Sequence, residues 1–156
     1  MELEELNYLV GDWRDQLRTG EPGTATASGE SWRLALGGRI LVREAWCEFP
    51  AKGDQPAFRH EDLLVLFVEG EADVRGVFWD NQGHWIRYRD VHRDPDGQGV
   101  GLVSDPVAPG PRQWLQYRFE APDRLSAVFS LHPSGAPGFV PYLKWNSVRA
   151  PGAPPP

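Results

Sequence analysis

Four histidines, one cysteine and a set of scattered carboxylates are the groups with which this chain of 156 residues could do acid–base, nucleophilic or metal chemistry. His60, His84, His92 and His132 lie far apart, and no G-x-S-x-G elbow, H-E-x-x-H pair, Walker loop or dinucleotide fingerprint accompanies them. His60–Glu61–Asp62 has the side chains of a metal site, but three contiguous residues of a strand point to opposite faces, so ligands would have to come from elsewhere. The lone Cys47 excludes an intramolecular disulfide and a multi-thiolate centre, and it reads as a small residue on the strand ILVREAWCEF. The best acid–base pair is Glu44 with His84 across an enclosed interior, where shifted pKa values would serve an isomerase, lyase or hydrolase.

Binding is a stronger theme than turnover. Seven tryptophans, at positions 13, 32, 46, 79, 85, 114 and 145, stand against a single Met1. Rigid indoles offer large apolar area at low entropic cost, as suits the wall of a pocket for a small, largely hydrophobic molecule. Side-chain alternation puts Glu30 with Trp32 on one face, Arg43 with Cys47, and His84 with Ile86 and Tyr88. Glu44, Arg87, Tyr117 and Lys144 are further polar candidates. An inward charge must be paired, hydrated or met by a ligand head group. Trp32, Glu44, Trp79, His84 and Tyr88 are the ligand-binding residues this reading selects.

The elements that would hold these residues are almost all strands. Leu3, Leu6, Leu9 and Val10 recur at helical spacing with acids in the first turn, so Glu2 to Val10 reads as one short helix stopped by Gly11. Thereafter turn-forming clusters such as LGG, PAKGDQP, DNQGH, RDPDGQG, EAPD and HPSGAPG delimit β-type runs. Strands are expected over 13–18, 24–34, 39–49, 58–68, 74–80, 84–91, 101–104, 113–119, 125–131 and 140–149. About ten strands with hairpin-length connections and no crossover helix form an antiparallel meander, which removes its edges by closing into an all-β, up-and-down barrel. The third strand is apolar on both sides, which points to cover by the helix or by a second copy in a homodimer.

The segment LNYLVGDW resembles the helix-to-G-x-W opening of lipocalins and other calycins. WRLALGGRILVRE, from Trp32 to Glu44, and GVFWDNQG, from Gly76 to Gly83, resemble two hairpins of a family of small bacterial lipocalin-like barrels catalogued as a domain of unknown function. The resemblance implies a barrel of roughly ten antiparallel strands, with Trp13 plugging one end beneath a basic residue, Arg149 or Lys144. It implies no established reaction. The haem-binding nitrobindins share the barrel and the G-x-W opening, and that likeness would make His132 an iron ligand; otherwise no cofactor is expected.

Composition narrows the partners. A formal charge of −6 repels nucleic acid and anionic lipid, and no apolar run approaches a membrane span. The acidic N-terminus is unlike a secretory signal, so a cytoplasmic setting is expected. Glycine and proline, 17 and 15 residues, make up about a fifth of the chain, compatible with one folded domain over 1–149. The proline-rich 150–156 reads as a disordered tail.

Overall fold

A computed structural model describes residues 1–16, 25–70, 73–105 and 110–151. Ten antiparallel strands form one closed barrel: β1 (Gly11–Asp15), β2 (Ala27–Ala35), β3 (Ile40–Phe49), β4 (Phe58–Glu69), β5 (Asp73–Asp80), β6 (Trp85–Arg93), β7 (Gly99–Ser104), β8 (Arg112–Ala121), β9 (Arg124–His132) and β10 (Val140–Arg149). Each strand pairs with its neighbour in sequence, and β1 pairs with β10 to close the ring, with Trp13 opposite Arg149. The all-β barrel expected from the turn spacing is therefore the fold. Arg18 and Thr24 of the expected first two strands, and the tail beyond 151, lie outside the described residues. No helix among the described residues is long and apolar enough to cross a membrane.

The expected short N-terminal helix, Leu3–Leu9, winds as a 3₁₀ helix. Leu3, Leu6 and Leu9 are spaced by three, so three residues per turn stack them in a single buried row that faces the barrel end. Glu5 accepts the backbone N–H of Glu2 at 2.7 Å and Nη1 of Arg93 at 2.6 Å, tying the helix to the end of β6. The helix caps one end of the barrel, and the outer wall of β3 is apolar, with Val42 only 6% exposed. There Ile40 and Val42 run on to Phe67, Val65 and Val77 across β4 and β5, and then to the cross-strand pair Trp79–Trp85.

Register settles which side chains look inward. The fully buried Trp32, Leu41, Leu64, Leu66, Tyr88 and Tyr117 define the inner face, and alternation carries it along each strand. An irregularity between Tyr88 and Asp90 shifts the parity of β6, so that Tyr88 and then Val91 face in; a second, between Pro141 and Leu143, resets β10. Trp13, Trp32 and Trp145 accordingly face the interior, whereas Trp46, Trp79, Trp85 and Trp114 face out. The expected tryptophan lining is corrected by this parity: most of the indoles sit on the outer wall, and phenylalanines and tyrosines supply much of the inner one.

Candidate functional site

The two ends of the barrel differ. At the helix end Trp13 is fully buried, and its Nε1 donates to the carbonyl of Leu9 at 2.7 Å. The Arg149 guanidinium lies 4.2 Å from the Trp13 ring centre and donates through Nη1 to the carbonyl of Val10 at 2.8 Å. A cation over an indole and against the last carbonyls of a helix is favourable on both counts. Gly11 makes this approach possible: it has φ +131°, and a Cβ there would run into the Arg149 guanidinium. Of the two basic residues proposed to meet Trp13, Arg149 is the one in place; Lys144 is exposed and pairs with Val128 on the outer face.

At mid-height the interior turns polar. The Arg43 side chain is 8% exposed; its Nε donates to Glu30 Oε2 at 2.6 Å and its Nη1 to Asp62 Oδ1 at 2.8 Å. Tyr117 reaches across from β8 to donate its hydroxyl to the same Glu30 oxygen at 2.8 Å. Burial works against the charge on Arg43, but Asp62, Tyr117 and Glu30 outweigh it and hold the guanidinium pKa well above its ordinary value. The Tyr117 phenol is pushed well above its usual range by burial, and the Tyr88 phenol likewise. Two atoms of this layer have no hydrogen-bond partner among the described residues: Glu30 Oε1 and Trp32 Nε1, both fully enclosed. Trp32 stands edge-on to Tyr117 at 5.3 Å, and Tyr117 edge-on to Trp145 at 6.0 Å, so an aromatic row flanks the carboxylate.

Towards the end opposite the helix, the inward residues become progressively exposed. Phe49 stacks on Phe58 with ring centres 6.1 Å apart, and Phe58 and Leu143 are 40% and 54% exposed. His60 approaches Asp62 at 3.5 Å; that hydrogen bond raises its pKa above the usual 6.5 against the opposing effect of burial. Asp15 accepts from Ser28 and, at 2.6 Å, from Ser147. Burial raises the neighbouring Cys47 thiol, contrary to what an activated nucleophile requires. Asp80 accepts the backbone N–H groups of Gln82 and His84 and the His84 ring at 2.9 Å. Burial pushes the Asp80 pKa up, but these hydrogen bonds together hold it below the ordinary value.

The nominated residues fall into three places. Trp32 and Tyr88 are inside and buried. His84 stands at the open rim, its side chain 71% exposed. Glu44 and Trp79 are on the outer wall, where Arg33 grips Glu44 through two hydrogen bonds of 2.8 and 3.0 Å. The expected acid–base pair is thus not assembled: Glu44 alternates with the inward Arg43 and Ala45 and so turns away from the interior. Arg87, opposite Val77, also faces out. His132 lies on the outer face opposite Arg112, its Nε2 held 2.9 Å from the Ala136 carbonyl, an arrangement that does not present it to an iron inside the barrel. In the His60–Glu61–Asp62 run, Glu61 faces out, and among the described residues no three His, Cys, Asp or Glu side chains converge as a metal site. A depression of about 320 Å³ along β3 and β4 is lined by Glu44, Ala45, Trp46, Arg59, Glu61 and Asp62. It belongs largely to the outer wall, where the guanidinium groups of Arg14 and Arg59 stand 5.5 and 4.7 Å from the Trp46 ring centre.

Asp62 is the interior residue that motif reasoning missed, because it was weighed only as one of three adjacent metal ligands. Its parity with Leu64 and Leu66 in HEDLLVLF was the available signal. No family model matches this chain, and no curated protein matches it.

Proposed function

We propose that this protein is a lipocalin-like binding protein that takes a small, largely apolar molecule into the half of the barrel opposite the helix. The observation that carries the reading is the graded inner wall: half-exposed Phe49, Phe58 and Leu143 near the rim lead inward to a buried polar layer with an unmet acceptor and an unmet donor. Folded proteins seldom leave buried polar atoms without partners, and such atoms concentrate where a ligand or an ordered water completes them. Apolar contact along the wall would supply affinity at roughly 25 cal/mol per Å² buried, and the polar layer would fix orientation.

The test is a titration with decanol, an uncharged ten-carbon probe, followed by tryptophan emission. Trp32 and Trp145 border the proposed site, so saturable quenching or a spectral shift is expected, diminished in Trp145→Phe. A flat response to decanol and to aromatic alcohols, confirmed by calorimetry, overturns the reading.

A further inference from the structure

We propose that the head group recognised at mid-height is a cation bearing N–H donors, an ammonium or amidinium, and not a carboxylate. The inference rests on the binding reading above and concerns only its chemical preference. Arg43 is the sole guanidinium among the described residues that faces the mid-height interior, and its Nε and Nη1 are already taken by Glu30 and Asp62. Its Nη2 makes no hydrogen bond among the described residues, but a carboxylate brought to it would lie beside the two carboxylates already held by the same guanidinium and be repelled by them. Glu30 is divided the other way: Oε2 receives both Arg43 and Tyr117, while Oε1, equally enclosed, receives nothing from the described residues. A carboxylate oxygen without a donor is costly to bury, and a charged N–H donor recovers that cost with a charge-assisted bond.

The wider surroundings favour the same sign of charge. In the middle and far half, Asp15, Glu30, Asp62 and Asp80 face inward by register against Arg43 and the titratable His60, while Arg93 and Arg149, inward by the same register, are engaged at the helix end. The Trp32–Tyr117–Trp145 row lies beside Glu30, and the negative faces of such rings attract a cation's carbon-bound hydrogens. Trp32 Nε1, two residues further along the same inner face, would complement an ether, hydroxyl or carbonyl oxygen on the ligand. An organic amine with an apolar body and a nearby oxygen acceptor fits these groups together.

The experiment compares decylamine, decanoate, decanol and decyltrimethylammonium on the wild-type chain, below their aggregation limits, by calorimetry and tryptophan emission. Decylamine is expected to bind at least about tenfold more tightly than decanoate, a ratio in keeping with one charge-assisted hydrogen bond. It should also bind more tightly than the trimethylated cation, which has no N–H to offer Oε1. Glu30→Gln should reduce the decylamine affinity about tenfold, and more than it reduces that of decanol. Should that variant fail to fold, the comparison of decylamine with its trimethylated analogue on the unmodified protein still decides. Equal or tighter binding of decanoate, or no loss on trimethylation, overturns the head-group assignment while decanol binding keeps the pocket. Failure of all four probes removes the pocket itself.

Discussion

The two ends of this barrel are made of the same ten strands and solve the same problem differently. The helix end is closed by shape: Leu6, Leu9, Leu64, Leu66 and Trp13 fill it, and Arg149 clamps the helix to the seam. The middle and far end are organised by charge, with one guanidinium shared between two carboxylates, one of which also accepts a phenol. Apolar packing tolerates changes of detail at a modest cost per methylene, whereas an enclosed ion network tolerates almost none, because a charge left behind has nowhere to go. The polar half should therefore be the less tolerant of substitution and the apolar half the more tolerant.

The sharpest way to break this contrast is Arg43→Met, which leaves Glu30 and Asp62 enclosed without their cation and should destabilise the fold by about 3–5 kcal/mol in urea denaturation. Replacing Glu30 and Asp62 by leucine in the same chain should restore most of that loss while abolishing any ligand preference. A single Arg43→Met variant as stable as the parent would show that the ion network is dispensable. Leu6→Ala, in the apolar half, should cost about 2–4 kcal/mol without altering the binding of decanol, since its effect is a cavity at the opposite end. Arg149→Gln should cost about 1–2 kcal/mol by removing the cation over Trp13 and its carbonyl contacts, and it should shift the Trp13 contribution to the emission spectrum.

The smallest effect concerns His60. Its pKa is raised in the fold by Asp62, so the protonated ring adds stability that is complete below its ordinary value of 6.5. That contribution fades as pH climbs through the raised folded value. Because the contact is long, 3.5 Å, and Asp62 is already paired with Arg43, the contribution stays below about 0.5 kcal/mol. Parallel denaturation curves of the parent and His60→Gln from pH 5 to 8 should converge as pH rises; curves that diverge would place the stabilising form at neutral His60.

The barrel was legible because its signals are local and repeated. Turn clusters such as DNQGH and EAPD mark hairpins wherever they occur, and the G-x-W opening with a basic residue near the end of the last strand anticipates the Trp13–Arg149 pair. The site was only half legible, since facing depends on parity and parity depends on where strands slip. Simple alternation groups Glu30 with Trp32 and Arg43 with Cys47, as the register has them, but does not say which face looks inward. Glu44 and Trp79 were selected because they stood in distinctive hairpins, a property that says nothing about which side of the sheet they occupy. The interaction of Tyr117 with Glu30 joins strands from opposite walls, 87 residues apart in sequence, and no local pattern encodes it.

The pairing of the first strand with the last has a consequence during synthesis. Until Val148 and Arg149 emerge, β1 has no partner on one side, and β9 offers a second row of unsatisfied amides and carbonyls. The chain therefore carries two open borders until β10 is in place, and long-range closures of this kind form slowly. Deleting β10 would leave a curled ribbon prone to pairing with its own copies, so the ten residues of this strand guard against self-association.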